Sequence, residues 1–302
     1  MQILAVYTMP SPLPQIWLAI GASVKPDPTA MRLQNGKLHQ ARKRFGQNFL
    51  HDEYIIQKIV DAISPTSEDH LVEIGPGQGA LTKPFADSGA QLDCIELDRD
   101  LVAHIEERFA QRPSVSVYQH NILKFDISTL SKTEKSLRVV GNLPYNISTP
   151  VMFHLLKDHS LIHDMTFMLQ LEVIQRMVAT IGEKNYGRLG LMVQYFCEVE
   201  HLFNVPSSAF TPKPKVVSAI VRLRPHTNFP VIAKDPECLQ TVIRTAFNQR
   251  RKTLKNSLKA IISETTLNKL AIDASLRPEN LSLADYALIS DALVDERDYG
   301  TH

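Results

Sequence analysis

The chain has 302 residues, of which 44% are hydrophobic and 22% are charged, so it can bury a large core and is expected to be globular. The formal net charge is only +1, so the overall charge of the chain gives no reason to expect a nucleic-acid partner. Only local clusters of charge can indicate one. The three cysteines, Cys94, Cys197 and Cys238, are far apart in the sequence, which is typical of a reducing cytoplasm and predicts no disulfide. The histidines are scattered and have no metal-ligand spacing, so we predict no metal site.

The first 30 residues differ in composition from the rest. They contain five of the 18 prolines and the only tryptophan, and no charged residue precedes Lys25. Pro10, Pro12 and Pro14 interrupt the apolar run, which therefore fits neither a secretory signal nor a membrane span of about 20 apolar residues. We predict that residues 1–30 are a disordered extension and that Met31 is the true initiator.

From residue 51 onwards, helix and strand patterns alternate. Apolar residues at helical spacing predict a helix that ends at Ser64-Pro65, and the apolar run at 70–75 predicts a buried strand. The next predicted elements are a helix at 81–90, a strand at 91–98, a helix at 100–110, strands at 114–119, 137–141 and 165–170, and helices beginning near Thr149 and Glu172. This alternation predicts an α/β, Rossmann-like fold with a parallel sheet covered on both faces.

The last part of the chain follows a different pattern. No helix pattern separates the strands predicted at 197–206 and 216–224, so we expect an antiparallel pair at one edge of the sheet. A proline-containing linker at 224–230 precedes a helical region whose last helix opens with a capping box at Ser282 to Asp285. We predict a Rossmann-like domain at 31–224 and a small helical domain at 225–302.

A glycine-rich segment, EIGPGQG (73–79), follows the first predicted strand of this sheet. Glycines between a strand and a helix allow backbone N–H groups to approach a ligand, as Gly75 and Gly77 would here. Glu96 lies about 20 residues further on at the end of the next strand, where an acid binds a ribose diol in dinucleotide-binding folds. The motif alone fits a nicotinamide cofactor and S-adenosylmethionine equally well, because each carries an adenosine.

The segment Asn142-Leu143-Pro144-Tyr145 lies at the carboxyl end of the strand predicted at 137–141, on the same sheet edge as the glycines. The Asn142 side-chain oxygen and the Leu143 carbonyl are hydrogen-bond acceptors, Pro144 fixes a bend, and the Tyr145 ring offers a flat apolar face. An exocyclic amine on an aromatic base requires two acceptors and a stacking surface. The Asn142–Tyr145 corner therefore favours methyl transfer from S-adenosylmethionine to such an amine. A nicotinamide-dependent oxidoreductase would not explain these residues.

Two basic stretches contain no acidic residue and predict contacts with backbone phosphates. They comprise Lys37, Arg42, Lys43 and Arg44 near the start, and Arg244, Arg250, Arg251, Lys252, Lys255 and Lys259 near the end. We expect residues 250–259 to form a phosphate-binding helix face. Lys213 and Lys215 lie in a proline-rich loop beside Phe210 and are candidates for the phosphate next to the bound base.

Six segments of the chain form a characteristic set. In chain order they are RKRFGQNFL (42–50), VEIGPGQGALT (72–82), IELDRDL (95–101), GNLPYNIST (141–149), AFTPKPKVVSAIVRL (209–223) and AFNQRRKTLKNSL (246–258). Together they resemble the bacterial small-subunit rRNA adenine dimethyltransferases and, less closely, the erythromycin-resistance rRNA methyltransferases. The resemblance implies S-adenosylmethionine as the methyl donor and N6-dimethylation of two adjacent adenosines near the 3′ end of 16S rRNA. It also implies a role in small-subunit biogenesis, with the 30S subunit as partner, and we expect a monomer that does not bind membranes.

The resemblance also assigns roles by position. It implies cofactor contacts for Asn48, Leu50, Gly75, Gly77, Glu96, Asn121 and Asn142. Tyr145 and Phe210 match the aromatic residues that hold the target adenine, which places them with Asn142, Leu143 and Pro144 at the catalytic site. One position departs from the family, since Asn121 stands where an Asp usually contacts the adenine of the cofactor; Asn keeps an acceptor oxygen but loses the charge.

Other functions remain open on the residues alone. A nicotinamide oxidoreductase explains the glycines and Glu96, and a non-catalytic RNA-binding assembly factor explains the basic stretches. A methyltransferase acting on large-subunit RNA or on DNA would share the whole catalytic set, and only the C-terminal region argues against it.

Overall fold

The computed structural model describes the backbone of residues 30–32, 38–40 and 47–299, and the side chains of residues 47–297. The extension predicted at 1–30, apart from Ala30, lies outside the described residues, as do the predicted RNA-binding residues Arg42, Lys43 and Arg44. Two short strands precede the main fold, β1 (Ala30–Arg32) and β2 (Leu38–Gln40), and they pair in antiparallel orientation.

The central feature is a seven-stranded sheet. The strands after β2 are β3 (Phe49–Leu50), β4 (His70–Ile74), β5 (Gln91–Glu96), β6 (Val115–Gln119), β7 (Leu137–Asn142), β8 (Ile162–Gln170), β9 (Cys197–Val205), β10 (Phe210–Thr211) and β11 (Ser218–Pro225). The order in the sheet is β6-β5-β4-β7-β8-β11-β9, and β3 pairs separately with β10. β6, β5, β4, β7 and β8 are parallel, whereas β11 is antiparallel to both β8 and β9. Both the parallel sheet and the antiparallel pair predicted at one edge are confirmed.

Ten α-helices surround or follow the sheet within the described residues. They are α1 (Glu53–Ile63), α2 (Thr82–Asp87), α3 (Arg99–Phe109), α4 (Ser148–Leu155), α5 (Leu171–Met177), α6 (Arg188–Phe196), α7 (Pro236–Asn248), α8 (Leu254–Ser257), α9 (Glu264–Lys269) and α10 (Leu283–Tyr299). The predicted capping box at the start of α10 is confirmed, because the Asp285 carboxylate accepts from Ser282 N and the Ser282 hydroxyl accepts from Asp285 N. None of the helices in the described ranges combines the length and apolarity that a membrane span requires.

Alternate residues of the strands enter different apolar clusters, as the period of two requires. Val72 of β4 packs in a cluster with α4, α5 and Phe167 of β8, whereas its neighbour Leu71 packs in a cluster with α1, α2 and α3. Both faces of the sheet are therefore covered, as predicted, and the carboxyl ends of the parallel strands are left at one edge.

A third apolar cluster lies among the C-terminal helices. It also includes Tyr186 and, from α6, Leu191, Met192 and Tyr195, which pack with residues of α7 and α10. The core of the C-terminal region thus draws side chains from before residue 225. The division into domains at 31–224 and 225–302 stays a prediction.

The expectation of one helix face over 250–259 is wrong. α7 ends at Asn248, a turn follows, and α8 begins only at Leu254. The N–H groups of Leu254 and Lys255 donate to the carbonyls of Leu276 and Ala274, and the Leu254 side chain is fully buried. Burying Leu254 against this neighbouring segment requires the chain to change direction, so Arg250, Arg251 and Lys252 lie in a turn.

Candidate active site

The carboxyl ends of β4, β5 and β7 meet at a cavity of about 290 Å³, close to the ~300 Å³ at which small-molecule sites begin. Ten predicted site residues line it: Asn48, Leu50, Gly75, Gly77, Glu96, Asn121, Asn142, Leu143, Pro144 and Tyr145. They come from five separate stretches of the chain. The parallel sheet brings four of these to a single edge, and the fifth, with Asn48 and Leu50, lies at β3. Phe210 is not among the residues that line the cavity.

The glycine loop adopts a backbone conformation that side chains rarely tolerate. Gly75 and Gly77 have φ values of +68° and +58°, in the left-handed region where glycine carries no steric cost. A Cβ on Gly77 would lie 3.4 Å from the ring of Phe49. The loop therefore keeps its backbone bare and close to the cavity, as a bound cofactor requires.

The Glu96 carboxylate, at the end of the neighbouring strand β5, accepts a hydrogen bond from this glycine loop. Its Oε1 accepts hydrogen bonds from Leu97 N at 2.8 Å and Asp98 N at 2.9 Å, and its Oε2 accepts from Gly77 N at 3.3 Å. Burial raises the pKa of Glu96, while the three backbone hydrogen bonds oppose this shift by stabilising the ionised form. A carboxylate oxygen has two acceptor positions, so Oε2 can still accept from a ribose hydroxyl.

The side chain of Asn142, at the end of β7, is oriented by a hydrogen bond to the segment that contains Asn48. Its Nδ2 donates to the backbone carbonyl of Asn48 across 3.1 Å. A carbonyl only accepts, so the amide nitrogen must face Asn48 and Oδ1 is left as the acceptor. The adjacent Leu143 is buried, and its N–H donates to Met168 O of β8 at 3.3 Å.

Tyr145 lies in the turn between Pro144 and α4 and is half-buried. Its hydroxyl is 2.8 Å from the Ser218 Oγ, and burial raises the pKa of Tyr145. The Ser148 hydroxyl donates to the Tyr145 carbonyl at 3.2 Å at the start of α4, which the sequence predicted near Thr149. The corner is thus held at both the ring and the backbone.

Phe210 occupies a different environment from the one its assigned role requires. It lies in β10 opposite Leu50 and is only 1% exposed, within the apolar cluster that covers one face of the sheet. The structure brings it next to a residue of the cavity wall but not into the cavity. A stacking role for Phe210 stays a prediction.

Asn121 and Glu73 complete the cavity with polar groups. The Asn121 Oδ1 accepts from Leu123 N at 3.0 Å and caps the short 3-10 turn that follows β6. The sequence did not single out Glu73, which lines the cavity, accepts from the Thr82 hydroxyl at 2.7 Å, and has its pKa raised to about 7 by burial. The available signal was a carboxylate inside an otherwise apolar strand, since such a group is rarely buried without a partner.

The predicted RNA-binding residues that the structure describes lie on exposed segments. Lys213 and Lys215 are exposed on the loop between β10 and β11, and Arg251 and Lys252 are exposed in the turn after α7. Arg250 differs from these, because its Nε lies 3.6 Å from the Glu279 carboxylate. No group of three His, Cys, Asp or Glu side chains among the described residues is arranged to hold a metal ion; the absence of a metal stays a prediction.

The sheet order, the bare glycine loop, the acid after the second parallel strand and the Asn-Leu-Pro-Tyr corner together define an S-adenosylmethionine-dependent methyltransferase. These residues fit the cofactor, since a Cβ at Gly77 would narrow the cradle and Glu96 retains acceptor capacity for a ribose. The profile of the family described as "Ribosomal RNA adenine dimethylase" matches residues 38–295. The chain belongs to this family of rRNA adenine dimethyltransferases.

The chain matches curated relatives over almost the whole length of each relative. The chain is 56% identical over 258 residues to "Ribosomal RNA small subunit methyltransferase A" of Pseudomonas syringae pv. syringae, covering 85% of this chain and 96% of the relative. It is 53% identical over 263 residues to the protein of the same name from Marinobacter nauticus, covering 87% and 95%.

Two solved structures share the fold. A dimethyladenosine transferase from Plasmodium falciparum superposes with a TM-score of 0.68 at 26% identity, over 83% of this chain and 98% of that one. The 23S rRNA methyltransferase ErmE superposes with a TM-score of 0.61 at 24% identity, over 82% and 100%, which shows a common fold.

Proposed function

We propose that this protein dimethylates N6 of two adjacent adenosines near the 3′ end of 16S rRNA in the small ribosomal subunit, acting as a cytoplasmic monomer during subunit biogenesis. The observation that carries the proposal is the Asn142 to Tyr145 corner, which shares one cavity with the glycine loop. The names of the curated relatives support the small subunit as the source of the RNA.

S-adenosylmethionine supplies an electrophilic methyl group when it is bound. Glu96 would accept hydrogen bonds from the ribose, and the glycine loop would approach the cofactor with its backbone. Asn48, Leu50 and Asn121 also line the cavity. Asn121 would accept a hydrogen bond from the adenine ring of the cofactor. These residues orient the donor, so that transfer gains from proximity to the acceptor.

The acceptor nitrogen needs help from the protein, because the N6 lone pair of adenine is delocalised into the ring. As N6 becomes tetrahedral, its N–H groups become stronger donors. Hydrogen bonds to the Asn142 Oδ1 and the Leu143 carbonyl therefore strengthen in the transition state, which is when they accelerate the reaction. Asn142 is oriented for this by its bond to Asn48, and no strong base is required.

The ring of Tyr145 provides the stacking surface for the base. Stacking on an aromatic side chain stabilises a base by ~1–3 kcal/mol, which offsets part of the cost of removing it from a helix. Lys213 and Lys215, exposed on the neighbouring loop, would contact the flanking phosphate. Arg42, Lys43, Arg44, Arg251 and Lys252 would contact phosphates further away, through a salt-dependent interaction.

The test is to incubate the protein and labelled S-adenosylmethionine with 30S subunits that lack the modification, and to map N6-dimethyladenosine. We expect two adjacent modified adenosines near the 3′ end of 16S rRNA. Parallel reactions with 50S subunits and with duplex DNA test the alternative substrates. Product on 23S rRNA or DNA but not on 16S rRNA would contradict the proposed target, while leaving the methyltransferase class intact.

A further inference from the structure

The hydrogen bond between Tyr145 and Ser218 joins two parts of the fold that are far apart in sequence. Tyr145 lies beyond the end of β7, whereas Ser218 begins β11, on the far side of β8 in the sheet. The two hydroxyl oxygens are 2.8 Å apart, which is within the range of a normal hydrogen bond. The bond therefore spans the carboxyl end of β8, directly beside the cavity.

The two partners differ in how firmly the fold holds them. Ser218 is fully buried and pairs with Gln170 of β8 on one side and with Val205 of β9 on the other. Tyr145 lies in a turn, and its side chain is half-exposed at the cavity wall. Ser218 is thus a fixed point, and the ring of Tyr145 is the group whose position depends on the bond.

The orientation of this ring matters for methyl transfer. A base stacks on an aromatic face only when the two planes are nearly parallel, and N6 must then lie in line with the methyl group. The neighbouring backbone is fixed by the bond from Leu143 N to Met168 O, and the Ser148 hydroxyl bonds to the Tyr145 carbonyl. Neither contact fixes the position of the Tyr145 ring, whereas a hydrogen bond to its hydroxyl fixes the far end of the side chain. Because a phenolic O–H prefers the plane of its ring, the direction of this bond also favours one orientation of the ring plane.

We propose that Ser218 is a positioning residue, which orients the Tyr145 ring for the target base through the hydrogen bond between their hydroxyl groups. Ser218 itself does not line the cavity and acts only through Tyr145. This inference rests on the proposed function in assigning the base to Tyr145. The bond also ties the corner to the loop that carries Lys213 and Lys215, since this loop ends at Ser218.

A double-mutant cycle tests the proposal, with Ser218→Ala, Tyr145→Phe and the double variant. Single-turnover methyl transfer is measured at saturating cofactor on unmethylated 30S subunits, together with cofactor affinity by calorimetry. We expect each single variant to be about 3- to 10-fold slower, as for loss of one hydrogen bond. The double variant should be no slower than Tyr145→Phe alone, because both changes remove the same interaction. Cofactor affinity should change by less than about twofold.

Ser136→Ala provides a matched control. It removes hydroxyl contacts to Ser131 and Thr133 just before β7, at the sheet edge opposite the cavity, and should transfer methyl groups at the wild-type rate. Should Ser218→Ala fold poorly, Tyr145→Phe still removes the bond from the half-exposed side. Wild-type rates in both single variants, or losses that multiply in the double variant, would overturn the proposal.

A readout without RNA separates this inference from the proposed function. The ring resonances of Tyr145 are identified in selectively labelled protein as those lost in Tyr145→Phe. We expect Ser218→Ala to shift and broaden them, whereas an unchanged Tyr145 signal would overturn the positioning role. If the wild-type protein modified no adenosine in 16S rRNA while these resonances moved, the target would be wrong and the positioning role of Ser218 would stand.

Discussion

The side-chain amide of Asn142 donates to the backbone carbonyl of Asn48, which lies 94 residues earlier in the chain and 3.1 Å away. This bond leaves the Asn142 oxygen as the acceptor at the cavity. It also connects the wall that would hold the cofactor to the corner that would hold the base. The same side chain would thus lie between the two substrates of the proposed reaction.

Replacing Asn142 should slow methyl transfer without a comparable loss of cofactor affinity. Asn142→Ala removes an acceptor that is felt mainly in the transition state, so we expect methyl transfer to fall by about 100-fold or more. Cofactor affinity should change by less than about tenfold. Single-turnover rates and calorimetry measure the two effects, and a variant with near wild-type transfer would remove Asn142 from the mechanism.

Asn142→Asp provides the matched comparison for the hydrogen bond to Asn48. The carboxylate keeps acceptor oxygens but cannot donate to the Asn48 carbonyl. We expect slow transfer, because the acceptor is no longer oriented. A rate equal to that of the wild type would show that the bond to Asn48 contributes nothing to the reaction.

Glu96→Gln should weaken binding of the cofactor. The amide keeps the shape of the side chain but loses the charge and one acceptor oxygen, so it cannot accept equally well from the backbone N–H groups and a ribose hydroxyl. We expect a higher KM for S-adenosylmethionine with a smaller change in kcat. Equilibrium dialysis with labelled cofactor checks the affinity; an unaltered dissociation constant would place the ribose elsewhere.

Glu73 should make the stability of the protein depend on pH. Burial raises its pKa from 4.5 to about 7 in the folded state. Since the folded pKa lies above the unfolded one, its contribution is fully present below pH 4.5 and is lost as the pH rises to about 7. The loss corresponds to roughly 3 kcal/mol in the free energy of unfolding.

Glu73→Gln removes this titration while keeping an acceptor for the Thr82 hydroxyl. Urea denaturation of both proteins between pH 4.5 and 8 gives the difference in the free energy of unfolding at each pH. We expect this difference to move in favour of the variant as the pH rises. A difference that stays constant across the range would show that Glu73 does not titrate there.

The turn after α7 should contribute to RNA binding through its charges. Changing Arg250, Arg251 and Lys252 to Ala should weaken binding to 30S subunits and lower the salt slope by roughly 0.7 to 0.9 per lost phosphate contact. Arg250→Ala alone should cost less than Arg251→Ala, because Arg250 already faces the Glu279 carboxylate. Filter binding at several salt concentrations measures the slope.

The control for this prediction is Lys132→Ala, which removes an exposed lysine near the start of β7, at the opposite edge of the sheet from the cavity. It should leave the salt slope unchanged. Cofactor affinity should also be unchanged in the triple variant, since the turn lies outside the cavity. Equal losses in the control and the triple variant would show only a general effect of net charge.

The composition of residues 1–30 leads to a prediction about truncation. A chain that starts at Met31 should melt at the same temperature and methylate 30S subunits at the same rate as the full chain. A large loss of melting temperature on truncation would show that the extension contributes to the folded protein.

Much of the fold and the cavity could be predicted because the responsible signals are local. The apolar stripe of α1, the buried run of β4 and the glycine loop each depend on residues a few positions apart. Parallel strands place their carboxyl ends together, so the positions of Gly75, Glu96 and Asn142 at one edge followed from the order of elements. Periodicity and turn chemistry alone were sufficient for these features.

The tertiary structure decided the features that depend on distant partners. Phe210 is buried where β10 pairs with β3. The basic stretch at 250–259 is broken because Leu254 and Lys255 bond to the segment that contains Ala274 and Leu276. The contacts of Asn142 with Asn48 and of Tyr145 with Ser218 join residues far apart in sequence. No local pattern specifies such pairs, since the free energy that selects them comes from the packing of the whole chain.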